Sequence, residues 1–361
     1  MRIGDKMAVH DVNEDVCDYE ISHFKRIETE EIPAYIPAQW KIGTDNQDEL
    51  EFILEIIKAD HACGKRVTAF LVQGPAGIAK TLLGLTIAKK LAAPYEVING
   101  NRSYDHIDLL GNVMLKGGNT EWLDGPLPSI IRATNLFGKG VLIINEINAM
   151  TEGTQIALNS MLDLQAEVVL TRNNSEKIKV EQDNQLIVFM TMNPGYLGTN
   201  RIQEAMKSRV YSIWAEYPSP ETEAEILSEI CDVQQKAALE ITKFAQQIRK
   251  KDLEIPFPPG TRELKQWINL MKNDISPLAA FDVSIASKCC ETKTQKAALL
   301  DLAVGEGFIE ERFQFLFKIP RSKRHIGKPG QDSINMNETY IENTSILLKI
   351  EGKVSVKSIF V

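Results

Sequence analysis

Short apolar runs alternate with helical patterns between residues 46 and 217, and this alternation predicts a parallel α/β sheet. Two of the runs, Gly140–Ile144 and Leu186–Thr191, are almost continuously apolar, as expected of parallel strands that helices cover on both faces. The predicted strands are Val67–Val72, Tyr95–Ile98, Gly140–Ile144, Leu186–Thr191 and Val210–Trp214. The predicted helices are Asp48–Ile57, Leu82–Leu91, Thr154–Leu164 and Ile202–Ser208.

The pattern changes three times along the chain and divides it into four predicted parts. Residues 1–45 are polar and mixed and are interpreted as an N-terminal arm, and residues 46–217 are the α/β domain. Residues 218–318 lose the strand runs and are predicted to form a helical lid domain. Residues 319–361 turn basic and then alternate around a turn at Glu351-Gly352-Lys353, which predicts a small C-terminal β appendage.

Composition excludes several classes of protein. The 361 residues are enough for two or three domains, and the formal net charge of −8 argues against a dedicated nucleic-acid binder. We expect no membrane span, because no apolar run has the necessary length, and no secretory segment follows Met1. The five cysteines are odd in number and form no C-x-x-C, so they predict free thiols and a cytoplasmic protein.

A glycine-rich turn between the first core strand and the following helix has the pattern of a phosphate-binding loop. Its backbone N–H groups and the positive end of the helix bind oxyanions, and this requires the strand–turn–helix setting that the sequence predicts. Lys80 reaches phosphates and Thr81 offers its hydroxyl to Mg²⁺. One position departs from the pattern, because Ala79 stands where a last glycine is expected and disfavours positive φ. The predicted nucleotide-binding residues are Gly74, Pro75, Ala76, Gly77, Ile78, Ala79, Lys80, Thr81 and Leu82.

Two further strand ends carry polar residues that can act on a phosphate. Asn145 and Glu146 follow the apolar run Gly140–Ile144, at the position where P-loop ATPases have an acidic pair. The first of these acids belongs to the Mg²⁺ shell, and here it is the neutral Asn145; Glu146 is the candidate general base. Asn193, after Leu186–Thr191, is placed to touch the γ-phosphate or the attacking water, since parallel sheets bind ligands at the carboxyl ends of their strands.

These motifs together resemble the MoxR and dynein-related branch of AAA+ ATPases, in the style of the CbbQ/NorQ-type and GvpN-type proteins. The resemblance covers roughly residues 65–270 and is carried by three segments: Trp122-Leu-Asp-Gly-Pro-Leu127, Gly140-Val-Leu-Ile-Ile-Asn-Glu-Ile-Asn148 and Thr191-Met-Asn-Pro-Gly-Tyr196. It implies ATP and Mg²⁺ as cofactors, a homo-oligomeric ring, usually a hexamer, and a protein partner that ATP hydrolysis remodels. The resemblance also suggests a partner protein with a von Willebrand A domain.

The resemblance also assigns roles to arginines and hairpins. It implies that Arg209 is the arginine finger that reaches the neighbouring subunit, with Arg201 as a second candidate, and that Arg262 is the second sensor arginine of the lid. It implies a hairpin insert at Leu109–Asp124 and a second hairpin, whose strands Glu167–Leu170 and Lys177–Glu181 precede the Asn193 strand. Both hairpins are expected to face the pore or the partner.

Three functions remain open on the sequence. The first is an AAA+ ATPase that remodels a protein partner. The second is a nucleotide-gated assembly scaffold with little turnover, which the neutral Asn145 favours because such a loss near Mg²⁺ costs about 10–100-fold in metal affinity or activity. The third is a nucleic-acid-linked NTPase, against which the acidic composition weighs.

Overall fold

A central sheet of five parallel strands organises the first part of the chain. The computed structural model describes residues 32–194, 200–250, 255–307 and Phe317. Within them, the five strands of this sheet are β3 (Val67–Gln73), β4 (Tyr95–Asn99), β7 (Lys139–Asn145), β10 (Gln185–Met192) and β11 (Tyr211–Trp214). Neighbouring strands follow one another across the sheet in the order β11-β3-β10-β7-β4. All five predicted strands are therefore present, and their parallel pairing confirms the predicted fold class.

Three two-stranded hairpins accompany this sheet in the described residues. The strands are β1 (Trp40–Ile42), β2 (Asp45–Gln47), β5 (Gly111–Lys116), β6 (Asn119–Asp124), β8 (Glu167–Leu170) and β9 (Glu176–Lys179). The β5–β6 and β8–β9 hairpins lie where the two hairpins were expected, although β9 begins one residue earlier and ends at Lys179. The β1–β2 hairpin spans the predicted boundary between residues 45 and 46.

Helices cover both faces of the sheet. In this part of the chain they are α1 (Glu49–Ala62), α2 (Lys80–Lys90), α3 (His106–Leu110), α4 (Pro126–Phe137), α5 (Glu152–Asn159) and α6 (Glu204–Lys207). Phe70, Ile143 and Phe189 are buried in one face cluster, and Leu71, Leu142 and Val188 are buried in the other. Adjacent residues of the same strand thus pack into different clusters, which explains why these strands are continuously apolar.

Two helix predictions were too long. The structure starts α5 at Glu152, where Thr151 accepts a hydrogen bond from the Thr154 N–H, and ends it at Asn159 rather than Leu164. The predicted helix over Ile202–Ser208 is only the single turn α6. In both cases apolar residues at the ends are buried without being helical: Leu162 lies in a turn and Ile202 in irregular chain.

After β11 the described chain is helical. Its elements are α7 (Pro220–Cys231), α8 (Gln235–Ile248), α9 (Thr261–Lys272), α10 (Pro277–Phe281), a π-helical turn (Asp282–Ala286), α11 (Ser287–Cys289) and α12 (Lys293–Gly305). This helical region has its own hydrophobic cluster, centred on Trp267, Phe244 and Phe281, whose ring centroids are 5.0–6.1 Å apart. No helix among the described residues is long and apolar enough to cross a membrane.

The predicted division into parts stays a prediction. Residues 1–31 of the arm lie outside the described residues, and so do the predicted β appendage 319–361 and the motif residues Gly195 and Tyr196.

Candidate functional site

The carboxyl ends of β3, β7 and β10 open into a cavity of about 670 Å³, which we call the edge cavity. The phosphate-loop residues 76–82 line it, and Asn145, Glu146, Asn193 and Arg262 line it as well. Gly74 and Pro75 contribute through their carbonyl groups, which accept hydrogen bonds from the Lys80 ammonium. Strand ends far apart in sequence therefore meet at one place, as the parallel sheet requires.

The phosphate loop has the backbone conformation of an anion site. Gly77 has φ of +78°, and a Cβ there would lie 3.0 Å from the Glu263 carboxylate. Ala79 adopts the left-handed region as well, with φ 62° and ψ 23°, although this conformation costs an alanine about 1–2 kcal/mol. Among the described residues, the N–H groups of Lys80, Thr81 and Leu82 at the start of α2 donate to no protein acceptor. These donors and the helix dipole suit a phosphate group.

Lys80 is a buried ammonium held by oxygen atoms. Its side chain donates to the carbonyls of Gly74 (2.9 Å) and Pro75 (2.5 Å) and to Asn193 Oδ1 (2.8 Å), and the residue is only 8% exposed. Burial lowers the pKa of Lys80 from 10.5 to about 8; the nearby Glu146 carboxylate raises this pKa and the Arg262 guanidinium lowers it. Two opposite charges of the edge cavity therefore act on the Lys80 ammonium.

Asn145 lies at the centre of a polar chain. Its Oδ1 accepts a hydrogen bond from the Thr81 hydroxyl at 2.7 Å, and its Nδ2 donates to Asn99 Oδ1 at 2.9 Å. Because the amide nitrogen is engaged by Asn99 at the end of β4, the amide oxygen faces Thr81. Thr81 and Asn145 thus place two neutral oxygens side by side. Oxygen is the ligand type that Mg²⁺ takes, although the carboxylate usual in such sites is here replaced by the Asn145 amide.

Glu146 projects from a strained turn. Its backbone is in the left-handed region (φ 54°, ψ 48°), and its N–H donates to the Thr191 hydroxyl at 3.3 Å. A non-glycine residue in this region costs energy and marks a position fixed by its surroundings. The Glu146 side chain makes no capping hydrogen bond to the turn Ile147–Ala149 that follows, and the residue is exposed at the rim of the edge cavity.

The two candidate finger arginines lie outside the edge cavity. Arg209 pairs with Asp163 (3.0 Å) and donates to the Ala205 carbonyl, and Arg201 is exposed. The Arg209 guanidinium holds the pKa of the Asp163 carboxyl below its usual range. Arg262, by contrast, is the second residue of α9 and lies beside the phosphate loop, where its N–H donates to the Gly77 carbonyl at 3.4 Å.

Sequence reasoning missed the residues that line the other side of the edge cavity. Residues 34–38, here called the N-terminal strap, contribute Ala34, Tyr35, Ile36 and Ala38. The buried carboxylate of Glu49 holds the strap, since it accepts hydrogen bonds from the Tyr35 hydroxyl and the Ala38 N–H (2.7 Å). Nothing in the local sequence marks this contact. Asn99 was also missed, although it ends a core strand in the same way as Asn145 and that signal was available.

The fold and the edge cavity define a P-loop nucleotide-binding protein, and comparison with known families narrows the class. Residues 69–210 match the AAA domain of the dynein-related subfamily, and residues 223–305 match the CbbQ/NirQ/NorQ C-terminal family. The chain belongs to the AAA+ ATPase family of the CbbQ/NirQ/NorQ type, which confirms the resemblance seen in the sequence motifs.

Individual relatives agree with this assignment. The chain is 24% identical to the denitrification regulatory protein NirQ of Pseudomonas aeruginosa over 234 residues, which are 64% of this chain and 87% of NirQ. It is 25% identical to protein CbbQ of Hydrogenophilus thermoluteolus over 235 residues, covering 64% of this chain and 84% of CbbQ. The RuvB branch migration motor of Thermotoga maritima is 16% identical with a TM-score of 0.38, covering 71% of this chain and 69% of RuvB. The family assignment depends on the sequence matches and not on RuvB.

Proposed function

We propose that the edge cavity binds ATP with Mg²⁺ and that the chain hydrolyses the nucleotide. The observation that carries this proposal is the meeting of Lys80, Glu146 and Arg262 around the phosphate loop in one cavity. The Lys80 ammonium, together with the unpaired N–H groups at the start of α2, binds phosphate oxygens. Those oxygens replace the carbonyls of Gly74 and Pro75, which now accept from the ammonium.

Thr81 and Asn145 are the residues that would hold Mg²⁺. A bound Mg²⁺ supplies positive charge that neutralises phosphate oxygens. The Thr81 hydroxyl and the Asn145 amide oxygen, which now share a hydrogen bond, are the groups that would hold it. Because Asn145 carries no charge, we expect turnover to be about 10–100-fold slower than with an aspartate at this position.

Glu146 acts on the attacking water, and Asn193 contacts the γ-phosphate or that water. The Glu146 carboxylate takes a proton from that water as general base, a role that its exposure to the cavity permits. Asn193 already accepts a hydrogen bond from Lys80, so its amide lies within reach of the same phosphate that the ammonium binds. Arg262 adds positive charge from the helical region.

The base of the nucleotide lies against the N-terminal strap. Ile36 lines the edge cavity, and its backbone N–H and carbonyl have no hydrogen-bond partner within the described part of the chain. The N–H can donate to N1 of adenine, and the carbonyl can accept from the adjacent amino group. Guanine has a donor at N1 and an acceptor oxygen in place of that amino group, so both contacts would be mismatched. Apolar surface for the ring comes from Leu85, Pro218, Ile226 and Ile230. We therefore expect ATP to be preferred over GTP.

Ring assembly and a protein partner complete the proposal. Arg209 serves the neighbouring subunit's site. Its present partner Asp163 is half exposed, and solvent screens such surface ion pairs, so Arg209 can leave Asp163 at little cost. The β5–β6 hairpin presents Val113, Met114 and Leu115, which are 44%, 53% and 80% exposed, toward a partner. Arg132 on α4 joins both hairpins, because it pairs with Asp124 of β6 and Glu176 of β9. We propose a hexamer and a partner with a von Willebrand A domain.

The test is a paired binding and turnover measurement. ATP affinity is measured by calorimetry and phosphate release at steady state, for wild type, Lys80→Ala, Glu146→Gln and Lys90→Ala as the control. Lys90 is exposed at the other end of α2, so its removal changes the same charge outside the edge cavity. We expect Lys80→Ala to abolish binding, Glu146→Gln to keep binding and lose turnover, and Lys90→Ala to match wild type.

Two outcomes contradict the proposal. Unchanged ATP affinity in Lys80→Ala removes the phosphate-loop assignment. Tight binding by wild type with phosphate release no faster than that of Glu146→Gln favours the scaffold, the candidate that the neutral Asn145 supports. A salt-dependent DNA-binding assay tests the nucleic-acid alternative, and we expect no specific binding.

A further inference from the structure

A buried ion pair joins three elements of the helical region next to Arg262. Arg249, which follows α8, donates through both terminal nitrogens to the Glu223 carboxylate of α7, at 2.7 and 2.9 Å. The Glu223 side chain is fully buried and that of Arg249 is 8% exposed. The guanidinium also lies 4.1 Å from the ring centroid of Tyr217, in the segment that leads from β11 into α7.

The pair holds the segment that carries Arg262. Arg249 Nε donates to the Pro259 carbonyl at 2.9 Å, and the Thr261 hydroxyl donates to Glu223 at 2.7 Å. The Tyr217 hydroxyl donates to the neighbouring Pro258 carbonyl at 3.2 Å. Three positions within four residues are therefore tied to one cluster, and the last of them immediately precedes Arg262.

The held segment lies directly against the phosphate loop. A Cβ on Gly260 would be 2.7 Å from the Ala76 carbonyl, so the two backbones are as close as glycine allows. The Arg262 N–H adds its hydrogen bond to the Gly77 carbonyl. A small movement of the segment would thus change where the Arg262 side chain lies relative to the Lys80 end of the edge cavity.

We propose that Glu223 and Arg249 are positioning residues that fix Arg262 for contact with the terminal phosphate of ATP, acting through Thr261 and Pro259. This inference rests on the proposed function, in which Arg262 contributes charge to the phosphate site. Ion pairs buried to this degree are weak evidence for stability, because desolvation offsets the attraction. Their value here is geometric, since a bidentate pair fixes the orientation of both side chains.

The experiment compares ATP with ADP, because Arg262 senses the phosphate that only ATP has. Dissociation constants for both nucleotides are measured by calorimetry for wild type, Thr261→Val, Glu223→Gln, Arg262→Ala and the double variant Thr261→Val/Arg262→Ala. Thr261→Val removes one hydrogen bond and leaves the ion pair intact, so it decides the question if Glu223→Gln fails to fold. The matched control is Ser228→Ala, which removes another buried hydrogen bond of α7, to the Val233 carbonyl at 2.7 Å.

We expect Arg262→Ala to lower the preference for ATP over ADP, and Thr261→Val to lower it by about 3–10-fold, the range of one hydrogen bond. The double variant should equal Arg262→Ala alone, because nothing is left to position. Ser228→Ala should keep the wild-type ratio of the ADP and ATP dissociation constants, even if its melting temperature falls.

Each failure has a separate meaning. If Arg262→Ala lowers the ratio and Thr261→Val does not, the pair has only a structural role and the positioning proposal is wrong. If Thr261→Val lowers the ratio further in the Arg262→Ala background, the pair acts by another route and the proposal is again wrong. If Arg262→Ala itself keeps the ratio, the assignment of Arg262 in the proposed function fails, and the positioning proposal with it.

Discussion

ATP affinity should fall as the pH rises through about 8, because the free protein must hold Lys80 protonated in order to bind phosphate. Burial lowers the pKa of this ammonium from 10.5 to about 8. Phosphate oxygens favour the charged form, so the pKa in the complex lies higher than in the free protein. Below pH 8 the free protein already carries the proton. Above pH 8 binding must take up a proton from solution, and this weakens the apparent affinity.

The magnitude follows from the lowered pKa. For a group with a pKa of about 8, the fraction protonated falls roughly tenfold between pH 7 and pH 9, so ATP affinity should fall roughly tenfold, or about 1.4 kcal/mol. Two variants should move the midpoint pH of this fall in ATP affinity in opposite directions. Since the Glu146 carboxylate raises the pKa of Lys80 and the Arg262 guanidinium lowers it, Glu146→Gln should move the midpoint to lower pH and Arg262→Ala to higher pH.

Calorimetry at several pH values measures this directly. At pH 8.5 to 9 the binding enthalpy should depend on the ionisation enthalpy of the buffer, which reports proton uptake, and at pH 7 it should not. Each variant is compared by the pH of its midpoint rather than by its absolute affinity, because both residues line the edge cavity. A flat affinity between pH 7 and pH 9 without proton uptake would refute the reasoning, and so would midpoints that shift in the same direction.

Two further predictions concern the metal and the ring. Asn145→Asp should raise the ATPase rate or lower the Mg²⁺ requirement by about tenfold or more, since the Asn99 amide can turn and donate to the new carboxylate. The double variant Asn99→Asp/Asn145→Asp should lose this gain, because two carboxylates would meet at the present 2.9 Å contact. Steady-state rates against Mg²⁺ concentration check both, and a single variant no better than wild type indicates a site adapted to asparagine. Arg209→Ala should keep ATP affinity within a few-fold and lower turnover on the order of 10³-fold. Mixed with Glu146→Gln subunits it should regain partial activity, and verified mixed rings without recovery would count against a finger supplied in trans at Arg209.

Local sequence was sufficient for the five strands of the central sheet and for the phosphate loop. Continuous apolar runs predict buried parallel strands because a strand covered on both faces has no polar side to alternate with. The strand–glycine–helix order around Lys80 likewise predicts an anion site, since the donors belong to the backbone of that same segment. The ends of α5 and α6 were less predictable, because an apolar residue such as Leu162 is buried equally well by a turn and by a helix.

Tertiary structure decided the contacts between segments that are distant along the chain. Glu49 holding the N-terminal strap, Asn99 orienting Asn145, and the pairing of Glu223 with Arg249 all depend on where packing places two elements. The left-handed backbones of Ala79 and Glu146 are imposed in the same way, against the local preference of both residues. The sequence by itself therefore determined the five strands of the central sheet and the glycine-rich turn with its helix. The orientation of the side chains they carry was decided by packing across the sheet and the helical region, because a side chain's partner is set by distance in space and not by its neighbours in the chain.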